Sequence, residues 1–243
     1  FLVLVGIIIF FTSERAALFL FIVFSFFYFL IIKRKLYFVL SGFLVLITLL
    51  TFSKEFKFKY LDYTLMQLGI IETSWNKDYN NLIRYYSKEH EDLSYTAFKI
   101  FQNNILTGSG VKTFYIACNN LIKDNEKKID LEEKMNFLNR NNNLKCSTHP
   151  HNTYFQILSD TGIFAFIFIF TFFIFVLKRN IHILLKKKSN NFELCLYFLN
   201  VGILLNLFPL IPSGNFYNNW LSLILFYPLG LWLYINQKIK IND

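Results

Sequence analysis

The chain has 243 residues, 54% of them hydrophobic and 20% aromatic, with a mean hydropathy of +0.39. That is too apolar for a soluble domain of this size, and the apolar residues fall in blocks, so the composition is that of a membrane protein. The net charge of +9 follows from where the basic loops sit and calls for no nucleic acid partner. With 20 Lys against 5 Arg, a lysine carries little information here and each arginine carries more.

In chain order, Phe1–Phe11 is too short for a span of roughly 17–25 residues. The chain starts on Phe, and the expectation is that it begins inside a helix of a longer protein. The alternative, a cleaved signal peptide, would need a basic leader and a small-residue cleavage site, and neither is present. The turn Ser13-Glu14-Arg15 leads into candidate spans Ala16–Ile32 and Leu36–Phe52, joined by Lys33-Arg34-Lys35. Candidate spans Tyr154–Leu177, Phe192–Phe208 and Trp220–Ile235 follow, with a basic loop 178–190 between the first two. Lys238 and Lys240 follow the last span. Basic loops stay in the cytoplasm, and all three basic clusters agree with one alternating topology. That topology places Ser13–Arg15, Ser53–Thr153 and Pro209–Asn219 outside. The expected fold is all-α: a polytopic transmembrane bundle of five full spans plus a partial first one, with a large, mainly helical external loop domain. The expected division is 1–52, 53–153 and 154–243.

A loop of that length is too long for a passive connection. Leu82, Tyr86, Leu93, Ala97, Ile100, Phe101 and Ile105 recur at helical spacing, which predicts an amphipathic helix, or two, ended by Thr107-Gly108-Ser109-Gly110. The charged run 124–143 reads as a solvated helix and an Asn-rich loop. Cys118 and Cys146 both lie in the exported segment, where an oxidising compartment favours a disulfide; two free thiols are the alternative. Cys195 lies in a span.

Several side chains are candidates for chemistry. Arg15, at a membrane boundary, suits bidentate phosphate binding, or snorkels to headgroups as an ordinary loop arginine. Asp160, nine residues after His151, would lie about 13 Å deeper along a helix and would want a cation, with Arg15 the candidate. Alternatively it is wet at the interface. His90 falls on the apolar stripe and reads as half-buried, and Arg84 lies off that stripe, where a solvated arginine is the plain reading. The lone Gly108-Ser109-Gly110 is weak as a phosphate loop.

His149-Pro150-His151-Asn152 is denser in meaning. Pro150 holds the preceding residue extended, and Asn152 or Thr153 can cap the helix that follows. His151 then stands at a helix N-terminus, which disfavours imidazolium, and a neutral imidazole is what a general base needs. Packing is one alternative. Zinc held by Cys146, His149 and His151 is another, although the spacing fits no standard site.

With one large external loop late in the chain, the protein resembles the O-antigen ligase and Wzy-type polymerase superfamily. The signature is His151-Asn152, nine residues, then Gly162-Ile163-Phe164, with Ala165 where the family pattern has a second Gly. The Ser13-Glu14-Arg15 turn and the run from Gly108 to Phe114 are similar to further family features. The family often has an arginine after that run, where this chain has Tyr115. The resemblance implies transfer of a glycan from a polyprenyl-diphosphate carrier to an acceptor on the periplasmic face of the bacterial inner membrane. The acceptor would be lipid A core for a ligase, or a carrier-linked glycan for a polymerase. It implies no metal and no cofactor, with His151 catalytic. Arg15 and Arg84 match the family's positions for binding the diphosphate; Asn152 and Lys112 are further candidate contacts to the diphosphate or glycan, and Asp160, His149 and His90 are candidate supports. Other classes are a transporter, against which stands the lack of repeated halves with broken helices, and a non-catalytic anchor presenting an external domain.

Overall fold

The computed structural model describes residues 2–12, 14–31, 54–67, 70, 87–127, 144–186 and 190–242, and these are helical or irregular with no strand among them. The expected span Leu36–Phe52, with Ser13, Arg34, Leu82, Arg84, Tyr86 and most of the run 124–143, lies outside the described residues. The chain divides into two compact units, Phe1–Lys88 and Glu89–Asp243. The three-part division expected from topology groups residues by side of the membrane, which is a different property.

In the first unit, α1 (Leu2–Thr12) and α2 (Arg15–Ile31) pack on each other. Gly6 admits the Phe21 ring: a Cβ at Gly6 would stand 3.0 Å from it. A helical stretch, 54–67, contains a π-helical turn at Phe58–Asp62.

In the second unit, α3 (Lys88–Asn103) and α4 (Phe114–Lys127) form a small core. Leu93, Ala97 and Ile100 meet Phe114 and Cys118, with Ala117, Ile122, Cys146 and Phe155 packed around them. Burying the apolar stripe of α3 is what stabilises an otherwise charged helix. The helix stops at Asn103, earlier than the Gly108 pair suggested, because the Gly108 N–H turns back to the Asn104 carbonyl at 2.9 Å. Ile105, expected on the apolar stripe, lies in that turn and is exposed. The Cys118–Cys146 disulfide forms with its Cα atoms 5.7 Å apart, tying residue 146 to the α4 core.

The 33-residue α5 (Thr153–Leu185) is, among the described residues, the helix long and apolar enough to cross a membrane by itself. It breaks at Gly162, whose φ is 80° and ψ −169°. The part after the break runs about 35 Å at 1.5 Å per residue, against a hydrocarbon core of about 30 Å. It continues through Lys178 and Arg179 to Leu185, so the first half of the expected basic loop is helical, held by buried Asn180 and Ile183. The turn into α6 (Asn191–Asn206) is made by a capping box, in which Asn190 and Glu193 exchange hydrogen bonds, and by a Lys186–Glu193 ion pair. At 17 and 16 residues, α2 and α6 are shorter apolar helices.

Helix α6 packs against both α5 and α7 (Asn219–Asn242). Between them the Trp232 indole N–H donates to Asn200 Oδ1 at 2.6 Å, and Phe172 and Phe175 meet Trp232 edge-on. Phe164, Ile167 and Phe168 on α5 and Leu223 and Tyr227 on α7 face outward.

Candidate active site

Two connections build the site: the segment 144–152, which leads into α5, and the loop 207–218 between α6 and α7. Asn152 caps α5 as expected. Its backbone is extended, and its Oδ1 accepts from the N–H groups of Tyr154 and Phe155 at 3.0 and 3.2 Å. Its Nδ2 donates to the Pro209 carbonyl at 2.8 Å, so the buried amide is held through both its oxygen and its nitrogen.

His151 sits just before the cap with φ +56°, in the left-handed region. A non-glycine residue there costs about 1–3 kcal/mol and persists where its surroundings over-determine it. The loop 207–218 supplies that constraint. Ser213 N–H donates to the His151 carbonyl at 2.8 Å, the Ser213 and Thr153 hydroxyls lie 2.9 Å apart, and the Tyr154 hydroxyl donates to the Leu207 carbonyl at 2.8 Å.

Three of the chain's four histidines meet here. The His149 and His151 ring centroids are 4.1 Å apart, and His90, at the start of α3, packs edge-on to His151 at 5.7 Å. His90 is half-buried, as its place on the stripe predicted. Burial lowers the His151 pKa below the ordinary 6.5, and the neighbouring Glu89 carboxylate opposes that only in part. Burial and then the neighbouring His151 lower His149 likewise, against a smaller opposing effect of the Ser213 backbone. His149 Nδ1 lies 3.0 Å from the Thr148 hydroxyl, while its buried Nε2 has no partner of hydrogen-bond geometry among the described residues. Glu89 is held ionised by Lys145, 2.6 Å away. The result is a pair of imidazoles kept neutral in neutral water, one of them able to accept a proton. Cys146 is consumed by the disulfide, which removes it from the zinc set considered with His149 and His151.

Asp160 is fully buried, as its place in the apolar run suggested, but neutral donors meet it where a cation was expected. The Lys112 backbone N–H donates to it at 3.2 Å, Ser159 Oγ at 3.4 Å and Gln156 Nε2 at 3.5 Å. Lys112 has φ +61° and an exposed side chain. The Gly108–Gly110 turn and the α5 break lie backbone to backbone: Ser109 and Gly110 N–H donate to the Ser159 and Asp160 carbonyls at 2.8 and 2.9 Å, and Ile163 N–H to the Ile105 carbonyl at 2.9 Å. A Cβ on Gly108 would stand 2.4 Å from the Asp160 carbonyl carbon. Gly108-Ser109-Gly110 is thus a docking turn for α5 and makes no phosphate cradle.

Arg15 belongs to the first unit. Its Nη1 donates to the Thr64 hydroxyl at 3.1 Å, and its guanidinium lies 4.8 Å from the Tyr63 ring centroid. It occupies the first turn of α2, where a helix dipole disfavours a cation. Sequence reasoning missed Gln156, which is buried on α5. Its Nε2 donates to Asn215 Oδ1 and its Oε1 accepts from the Phe216 N–H, both at 2.8 Å, which ties α5 to the last loop. A glutamine inside an apolar run was the available signal.

Helical among its described residues, with an apolar 33-residue helix entered through a strained histidine turn, the chain has the features of a membrane protein with a candidate proton acceptor at a helix mouth. The profile of the O-antigen ligase family matches residues 1–170, more than half of the chain, and the match includes His151 through Gly162. No curated protein and no solved structure matches the chain. The chain belongs to the O-antigen ligase family, whose members are membrane-integral, glycosyltransferase-like bacterial enzymes.

Proposed function

We propose that the protein transfers a glycan from a polyprenyl-diphosphate carrier to an acceptor hydroxyl at the periplasmic face of the bacterial inner membrane, with His151 as general base. The observation that carries this reading is the His151 turn: a left-handed backbone, an Asn152-capped helix behind it and an imidazole pKa lowered by burial. His151 takes the proton of the acceptor hydroxyl as its oxygen bonds to the anomeric carbon of the donor sugar. The bond from that carbon to the diphosphate oxygen breaks, and its electron pair leaves with the carrier. The proton ends on His151, and no metal or cofactor takes part.

Arg15, Arg84 and Lys112 are the cations proposed to neutralise the departing diphosphate, since guanidinium forks match phosphate oxygens. Asn152 holds the turn through its cap and its bond to Pro209, and its second Nδ2 hydrogen is the group proposed to reach the diphosphate or glycan. His149 and His90 set the orientation of His151, and Asp160 fixes the Lys112 backbone. The topology that goes with this function has five full spans and a partial first one, the segment 53–153 in the periplasm and the basic stretch 178–190 in the cytoplasm. The disulfide supports an oxidising location for that segment. The acceptor is lipid A core in a ligase and a carrier-linked glycan in a polymerase.

The test uses the full-length protein with His151→Ala and Arg15→Ala, followed by gel analysis of surface lipopolysaccharide. Loss of the mature glycan, with carrier-linked glycan accumulating, is expected. Normal surface glycan with stably inserted variants would leave a transporter or a non-catalytic anchor. Accumulated glycan that retains its polymer ladder identifies a ligase; loss of the ladder identifies a polymerase. Inactivation by EDTA would move His149 and His151 to a metal site.

A further inference from the structure

The segment 105–116, the connection after α3 and the first residues of α4, exposes an unusual amount of apolar surface for a stretch in water. Ile105, Leu106, Val111, Tyr115 and Ile116 are 51%, 62%, 53%, 54% and 61% exposed. Water-facing loops do not carry such side chains in series, and large exposed apolar surfaces mark partners or membranes. The backbone fixes where this segment lies. The Ile163 N–H donates to the Ile105 carbonyl at 2.9 Å, and Gly162 approaches Leu106 so closely that a Cβ there would stand 2.3 Å from its carbonyl oxygen. Ile163 is also where the outward-facing apolar stretch of α5 begins, with Phe164 68% exposed one residue later. The loop is therefore level with the end of the helix that meets lipid.

We propose that residues 105–116 form a shelf embedded in the lipid interface, with Leu106, Val111 and Ile116 among the acyl chains. This rests on the reading of α5 as a membrane span, and it is independent of catalysis by His151. Exposed Lys112 stands within the shelf, where its stem would lie along apolar side chains and its ammonium would reach headgroup phosphate. That brings a cation to the depth at which a lipid-linked diphosphate lies. The Asp160–Lys112 backbone bond and the left-handed Lys112 conformation set the tip of the loop.

The test is site-directed spin labelling of the full-length protein in proteoliposomes of phosphatidylethanolamine and phosphatidylglycerol. The background carries Cys195→Ser, with the disulfide kept. Labels go on Leu106→Cys, Val111→Cys and Ile116→Cys, with Phe168→Cys as the span reference and Lys123→Cys as the aqueous reference. Collisions with oxygen should exceed those with a water-soluble nickel chelate severalfold at the three shelf positions and at 168, and the ratio should reverse at 123. If position 168 reads as lipid while 106, 111 and 116 follow the nickel chelate, or are shielded from both reagents, the shelf is wrong and the span stands. If 168 itself reads as aqueous, the span reading fails and the shelf with it.

Discussion

Gly162 and Leu106 touch through their backbones, with room for no side chain between them: a Cβ on Gly162 would lie 2.3 Å from the Leu106 carbonyl oxygen. At φ +80° the position also excludes L side chains on conformational grounds. Gly162→Ala should therefore lower stability by at least ~2 kcal/mol. Gly108→Ala, at φ +66° against the Asp160 backbone, should do the same. Gly202→Ala has open space around it in α6 and should be neutral or slightly stabilising. Thermal unfolding in detergent checks all three, and equal effects would contradict the docking turn.

His151 combines a backbone role with a chemical one, and two substitutions separate them. Asn tolerates the left-handed region and Ala does not. His151→Asn should keep the unfolding temperature near wild type, whereas His151→Ala should lose about 1 kcal/mol. Both should abolish glycan transfer, measured with carrier-linked donor in proteoliposomes. Activity retained in His151→Asn would remove His151 from the chemistry.

Burial holds the His151 imidazole below the ordinary 6.5. A base works deprotonated, so activity should be full near neutral pH and fall as pH drops through that lowered value. The same shift links to stability. The unfolded imidazole binds its proton at higher pH than the folded one, so the contribution present above 6.5 is lost as pH falls through the folded value. Glu89 is the group that raises His151, and Glu89→Gln should move the acid limb of the rate profile to lower pH. A limb that moves upward would contradict this electrostatic arrangement.

Gln156→Leu is nearly the same size but strips the Phe216 N–H of its acceptor and leaves Asn215 Oδ1 with the Tyr217 N–H alone. An orphaned buried polar group costs about 1–3 kcal/mol. The expected result is a loss of that size, with the loop 207–218 opening to amide hydrogen exchange. Unchanged protection there would show that the loop is held by other contacts.

The Cys118–Cys146 bond has a sequence separation of 28, and closing a loop of that length stabilises by roughly 3–4 kcal/mol in the chain-entropy account. In denaturant, a maleimide mass tag should label one thiol, Cys195, before reduction and three after it. Paired Cys118→Ser and Cys146→Ser should lower the unfolding temperature by several degrees.

Much of the helix content was legible because apolar runs have few alternatives to a helix in lipid. The expected starts at Ala16, Tyr154, Phe192 and Trp220 each fall one residue inside an observed helix. The Asn152 cap and the disulfide were legible too, one from a helix-start signal after Pro150, the other from two cysteines in one exported segment. The helix ends were not, since Asn103 and Leu185 are set by a backbone turn and by buried Asn180 and Ile183. Asp160 was marked as buried, yet its backbone donor, Lys112, came from a loop 48 residues away, which no local pattern encodes.

By itself, the sequence determined that the chain is helical, apolar enough for lipid, and furnished with a His-Asn pair separated by nine residues from a glycine. Periodicity, composition and spacing are local properties, and they are written along the chain. Tertiary structure alone decided that His90 packs on His151, that His151 is left-handed because Ser213 and Pro209 strap its turn, and that Gly108 and Gly162 exist to let two backbones meet. Each of these depends on segments distant in sequence approaching within hydrogen-bond or van der Waals range, and such approaches are settled by packing the whole unit.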